Sequence, residues 1–165
     1  MPTEQELRLH RCCFTGHRPE KIDMPERKVV AALEKEIKAA IADGFVTFIS
    51  GMARGSDIWA AEIVLRLKKK NPSLHLIAAS PYDGFEKSWS LDWQKRYAAI
   101  MADADLIRFI CEKQSMSCYQ TRNEWMVDRS ARVIAVFNGE KGGTLNTIRY
   151  AEKHAVPVIN VLDAK

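Results

Sequence analysis

Short apolar runs alternate with longer amphipathic segments along the whole chain, and most runs end in a turn that carries glycine or proline. Strands are expected at 9–15, 46–50, 74–79, 105–110, 132–137 and 156–162, where brief apolar stretches are bounded by breakers. Helices are expected at 26–43, from Ser56 or Asp57 to Lys70, and at 92–103, 122–130 and 145–154. In the first of these Val29, Val30, Leu33, Ile37 and Ile41 recur at helical spacing, and Gly44 stands where a C-cap belongs. Strands alternating with helices require crossover connections, which are right-handed. The expected fold is therefore α/β: a single Rossmann-like domain, 1–165, with an open, mostly parallel sheet and helices on both faces. Residues 1–8 read as a short polar arm.

Composition excludes several classes. With 47% hydrophobic and 28% charged residues the chain is no disordered tail, collagen-like repeat or coiled coil. A domain of this size buries roughly 68–70% of its unfolded surface, so neither disulfides nor metal are needed for folding. The net charge of +4 permits an anionic partner without demanding one. No run approaches the ~18 consecutive apolar residues of a membrane helix, and the opening MPTEQELRLHR has no apolar signal core. The expectation is a cytoplasmic protein with no membrane insertion. Cys12, Cys13, Cys111 and Cys118 contain no C-x-x-C pair, so no metal site is indicated and reduced structural thiols are expected. The adjacent Cys12 and Cys13 would point to opposite faces of a strand.

Seven of the eight glycines, all but Gly44, follow the carboxyl ends of expected strands. Open parallel sheets bind ligands outside those ends. Glycine also makes tight turns for no functional reason, so the polar residues around it carry the argument. In TGHRP, Gly16 opens the turn and His17 and Arg18 would project over the crevice, where Arg18 suits a phosphate or carboxylate; solvation of Arg18 and packing of His17 is the plain alternative. In SGMARGSDIWAAE, Gly51 and Gly55 bracket a loop able to cradle phosphate, with Arg54 supplying charge. Asp57 either caps the next helix or bonds a ribose hydroxyl or base edge. Trp59 either stacks on a base or packs, and Glu62 is a weaker candidate on a different helix face. In NGEKGGT, beginning at Asn138 and Gly139, Gly142 and Gly143 free amides for an anion while Thr144 reads as N-cap. In TRNEW, Thr121 and Glu124 read as a capping box, which sets Arg122 and Asn123 at a helix start on the ligand edge. None of these loops is a G-x-G-x-x-G dinucleotide fingerprint.

These segments resemble the SLOG superfamily, the Rossmann-like group that includes the Lonely Guy phosphoribohydrolases and DNA-processing protein A, and within it the YpsA-like branch of bacterial proteins. The likeness covers about 10–162, through the TG first turn, the SG…G…D-x-W-A-A-E second turn and the order of elements. SGMARGSD is also similar to the SG-x-A-x-G-x-D loop of DNA-processing protein A. The block from Arg122 to Thr147 resembles the Lonely Guy arrangement of an R-K pair followed by PGG-x-GT-x-x-E. Arg122 falls on the arginine, Asn123 replaces the lysine, Asn138 stands where the proline begins the turn, and Thr147 occupies the glutamate position. The resemblance implies a retained phosphate cradle without the carboxylate used for glycosidic cleavage.

The leading expectation is a sensing or regulatory protein that binds a nucleotide or another ribose-phosphate ligand and requires no further cofactor. A nucleotide glycosidic-bond hydrolase is the second reading, with Glu62, Arg122 and Glu124 as candidate catalytic residues; whether the chain is an enzyme stays open at this point. Single-stranded nucleic-acid binding is the third, weakened because aromatics are not interleaved with a basic stripe and Lys68–Lys70 suits a helix C-terminus. A homo-oligomer is possible: Phe85, Trp89, Trp93 and Tyr97 would cover an interface, form a lid or pack in the core.

Overall fold

The structure is a computed structural model and describes residues 1–162. Six strands, β1 (Arg11–Gly16), β2 (Thr47–Ser50), β3 (His75–Ser80), β4 (Leu106–Phe109), β5 (Arg132–Val136) and β6 (Val158–Asn160), form one sheet in the order β4-β3-β2-β1-β5-β6. Every neighbouring pair is parallel. Between them run α2 (Glu26–Ala42), α3 (Ser56–Lys68), α4 (Leu91–Asp103), α5 (Cys118–Asp128) and α6 (Gly143–Lys153), after a short α1 (Glu4–Arg8). This is a single Rossmann-like α/β domain.

Strand alternation divides the core. Cys12, Phe14, Phe48, Leu76 and Ile134 point to one face, where they meet Val29, Leu33 and Ile37 of α2, Ile58 and Val64 of α3, and Ile100 of α4. Cys13, Ile49, Ile77 and Val133 point to the other, against Met126 and Val127 of α5 and Ala151 of α6. The adjacent cysteines thus serve opposite layers. Full burial keeps both as neutral thiols, with Cys13 pushed up to about 12. The central strands read as continuous apolar runs because both their faces are covered. At the sheet edge β4 leaves Leu106, Ile107 and Phe109 partly exposed. Among the described residues, no helix is long and apolar enough to cross a membrane.

Several expectations need correction. Residues 4–8 of the expected arm are helical: Thr3 and Glu6 form a reciprocal capping box (3.0 and 3.2 Å), and Glu4 pairs with Arg11 of β1. Cys111 and Cys118 are joined as a disulfide, where four reduced thiols were expected. The loop between them folds back to bring their Cα atoms to 6.2 Å, a proximity that a spacing of seven does not announce.

Candidate functional site

The strand order reverses between β1 and β5, and the crevice of an open parallel sheet forms at such a switch point. Three turns converge there. The His17 N–H donates to the Val136 carbonyl (3.1 Å), and the His17 carbonyl accepts from Ser56 Oγ (3.1 Å), which ties the first turn to β5 and α3. In the second turn Met52 takes a left-handed conformation (φ 64°) that a residue with a side chain adopts at a cost. Ser50 holds it by accepting from the Met52 N–H (3.2 Å) while donating to the Asp57 carbonyl (2.9 Å). A Cβ on Gly51 would stand 2.9 Å from Asp57 Oδ2 and 3.0 Å from Arg122 Cζ. Bare backbone at this point lets the carboxylate and the guanidinium approach from two elements.

Arg122 reaches in from the second turn of α5. It donates through Nε to Asn123 Oδ1 (2.7 Å) and through Nη1 to the Gly51 carbonyl, and it is 5% exposed. Among the described residues it forms no ion pair. Burial depresses its pKa, an effect the nearby Asp57 opposes. Asp57 accepts from the Ala53 N–H (3.3 Å), and its Oδ1 is buried with no partner among the described residues. Burial raises its carboxyl to about 6 despite Arg122 and the Ala53 amide. His17 is 6% exposed, its ring lies against Phe137 (5.6 Å), and its buried Nε2 also has no partner among the described residues. Burial lowers the imidazole pKa, so His17 tends toward the neutral form.

These groups enclose a cavity of about 210 Å³. Arg18, Lys21, Arg122 and Lys141 supply positive charge, and Asp57 is the one carboxylate among its lining residues. Gly142, Gly143 and Thr144 close it at the start of α6, a helix whose first-turn amides receive no side-chain cap.

Of the residues singled out from sequence, Gly16, His17, Arg18 and Asp57 line this cavity from the first half of the chain, and Arg122, Asn123, Gly142, Gly143 and Thr144 from the second. Gly51 stands behind Asp57 and Arg122. The others are engaged elsewhere. Arg54 pairs with Glu20 (3.0 Å), and Gly55 packs on Pro19. Trp59 packs on Trp93 (6.2 Å between centroids). Asn138 is spent on its own turn, bonding the Lys21 carbonyl (2.8 Å) and the Glu140 N–H (2.9 Å), while Gly139 has no neighbour where a Cβ would be. Glu62 pairs with Arg96 (2.6 Å) in a groove between α3 and α4, and Glu124 accepts from Gln120 (2.9 Å). Lys21, Lys141 and Tyr119 line the cavity without having been singled out. The two lysines lie inside or beside the very motifs TGHRP and NGEKGGT, so charge within those loops was the available signal.

Three expected caps are not caps. The N-cap of α3 is Gly55, with Ser56 and Asp57 already helical, and that of α6 is Gly142, with Thr144 in the first turn. Helix α5 starts at Cys118 behind Ser117, so Thr121 and Glu124 form no capping box. Instead Thr121 Oγ1 donates to the Ser117 carbonyl (3.0 Å).

Asp57 makes stability depend on pH. Its folded value, about 6, lies above the ordinary 3.8, so the folded state holds the proton more tightly. The stabilisation is full below pH 3.8 and is lost as pH rises through about 6, amounting to at most about 3 kcal/mol. Asp57→Asn should therefore gain stability over wild type between pH 4.5 and 7.5 in urea titrations. Parallel pH profiles for the two proteins would contradict the buried-carboxylate assignment.

Comparison with known proteins identifies the family and supports the fold. The profile of the YspA SLOG family (YpsA) matches residues 12–159. The SPbeta prophage-derived protein YoqJ of Bacillus subtilis is 35% identical over 138 residues, spanning 76% of this chain and 79% of its own. DNA processing protein A of Streptococcus pneumoniae superposes with a TM-score of 0.66 at 18% identity, over 92% of this chain. Its Helicobacter pylori counterpart, described for a single-stranded DNA binding mode, gives 0.64 at 23% identity over 94%. This chain spans only 50% and 66% of those two proteins, and at such identities the likeness is one of fold. With the profile running from β1 to β6 and a relative matched over most of both lengths, the chain belongs to the YpsA family of SLOG proteins.

Proposed function

We propose that the chain binds a nucleotide or another ribose-phosphate ligand at the carboxyl edge of its sheet, in a sensing or regulatory role. The phosphate would rest on the first turn of α6 and against Arg122, with the ribose toward Asp57 and His17. The observation that carries this reading is Arg122: a buried guanidinium with no ion-pair partner among the described residues, facing a cavity beside helix amides that no side chain caps. Buried charges are costly unless paired, and helix N-termini attract anions. Asp57 Oδ1 and His17 Nε2, without partners among the described residues, suit hydroxyl groups, which donate to a carboxylate and either donate to or accept from an imidazole nitrogen.

Isothermal titration with inorganic phosphate, ribose 5-phosphate and adenosine 5′-monophosphate tests the reading. The expected result is saturable binding of ribose 5-phosphate, tighter than that of phosphate. Folded protein that binds none of the three at millimolar concentration would refute it.

Binding without cleavage is favoured by the residue at the glutamate position of the Lonely Guy pattern. Thr147 is fully buried there and its Oγ1 donates to the Gly143 carbonyl (2.8 Å). Glu62 and Glu124 are committed elsewhere. Asp57 is the carboxylate on which a hydrolytic reading would rest. Release of free base from a nucleoside monophosphate, lost in Asp57→Asn, would favour that reading over the present one. Single-stranded DNA binding, the activity described for the Helicobacter neighbour, draws less support: in the Lys68–Lys70 run, Lys68 is paired with Asp105.

A further inference from the structure

A second hollow, of about 490 Å³, adjoins the cavity and shares Arg18, Phe85 and Tyr119 with it as a common wall. The inner cavity, at about 210 Å³, falls below the roughly 300–1,000 Å³ typical of small-molecule pockets. It has room for a phosphate and part of a sugar, and a nucleotide must continue outward.

The outer hollow sets Tyr82, Trp89 and Trp93 among polar side chains, and most of the surface that it exposes is polar. Arg96 lies over the Trp93 ring at 4.7 Å, so Trp89 and Tyr82 are the rings left for a ligand. They are anchored from below: Trp89 meets Phe85 and Tyr97 edge-on at 5.1 and 5.6 Å, and Tyr97 is core, 4% exposed with its hydroxyl 2.9 Å from Ser80 Oγ. Tyr82 and Tyr119 are linked through their hydroxyls (3.1 Å). Tyr97 thus packs, while Trp89, Trp93 and Tyr82 stay half-buried around an open space. The one arginine peculiar to this hollow, Arg54, is neutralised through two contacts to Glu20 (3.2 and 3.0 Å). A second phosphate would have to compete with that carboxylate, whereas a neutral ring would not. Ser88, Ser90 and Gln114 on the rim offer hydrogen bonds to ring edges.

We propose that the outer hollow is a base-binding subsite, which takes the neutral planar heteroaromatic ring of the ligand whose phosphate occupies the inner cavity. The ligand then runs from the α6 N-terminus, past Arg18, to the loop between β3 and α4. This inference rests on the phosphate-binding reading above, and its test separates the two. Ribose 5-phosphate fills only the inner cavity; adenosine 5′-monophosphate adds the ring. The ring should tighten binding by about tenfold, as aromatic stacking typically does. It should also quench tryptophan fluorescence, which ribose 5-phosphate leaves unchanged. Trp89→Leu should cost about tenfold toward adenosine 5′-monophosphate and less than about twofold toward ribose 5-phosphate. Equal affinities of the wild type for both probes, or equal losses for both in Trp89→Leu, would overturn the subsite and leave the phosphate reading standing. Binding of neither probe would overturn the phosphate reading itself. The two-probe comparison and the fluorescence readout use wild-type protein and do not depend on how the variant folds.

Discussion

Replacing Arg122 with methionine is expected to weaken binding of ribose 5-phosphate by at least about 100-fold, equivalent to about 2.7 kcal/mol, while the protein stays folded. Methionine keeps the apolar stem and removes the charge. The binding loss is large because Arg122 lies in a desolvated site, where charge–charge attraction is poorly screened. The change in stability should be small, since two effects oppose each other. Losing the guanidinium leaves the Gly51 carbonyl and Asn123 Oδ1 short of a donor, at about 1–3 kcal/mol each, but also relieves the cost of burying a cation with no ion-pair partner among the described residues. Arg122→Lys keeps a charge without the planar fork and should fall between wild type and methionine. Titration calorimetry beside a urea melt separates binding from folding. Affinity within threefold of wild type in a folded Arg122→Met protein would remove the central support for an anion site.

Gly55→Ala is the second substitution with a large expected effect, here on folding. Gly55 has φ 87° and ψ −124°, backbone that a residue with a Cβ reaches only under strain of about 1–3 kcal/mol. A methyl group would also stand 2.8 Å from Pro19 Cδ and 3.0 Å from the His17 carbonyl oxygen. Relieving those contacts means separating the first turn from the second, the pair that carries His17, Arg18 and Asp57. A loss of about 3 kcal/mol or more is expected, which for a domain of this size lowers Tm by about 6–12 °C. Gly139→Ala is the control, because its φ is also positive, 95°, but nothing lies within 4 Å of the added methyl. It should cost only the backbone strain. Equal melting points for the two variants would exclude the close approach as the cause.

The layout of the fold was legible because its determinants are local. Val29, Leu33 and Ile37 recur at helical spacing, and turns such as Gly16 and Gly51 punctuate the strands. Both signals survive in the structure within a few residues at each end. Edge strands β4 and β6 came out shorter than expected, at four and three residues. The site was legible by region but less by role. Its glycine loops were in place, yet Thr144, Asp57 and Thr121 each looked like a helix cap and none is one. A short polar side chain before an apolar run signals a cap only when no glycine takes the N-cap instead. In α3 and α6 Gly55 and Gly142 do so, neither helix start receives a side-chain cap, and that of α6 lines the cavity. The pairings of Arg54 and Glu62 were not legible for a different reason: their partners, Glu20 and Arg96, are 34 residues away. Tyr119 gave no local signal, because its place in the site depends on where α5 begins.

The position of β1 has a consequence for how the protein comes into being on the ribosome. Strand β1 is made first and ends in the middle of the sheet, with β2 on one side and β5 on the other. Its partner β5 begins only at Arg132. While synthesis runs between them, β2, β3 and β4 can assemble on one flank as the other edge of Cys12, Cys13 and Phe14 waits unpaired. A nascent chain of this kind exposes an apolar parallel edge from the making of β1 to that of β5, a template for wrong pairing until β5 emerges. The first two glycine turns and Arg122 precede β5 in the chain, and the start of α6 follows it. The start of α6, the last wall of the cavity, therefore forms just after the vulnerable edge is closed.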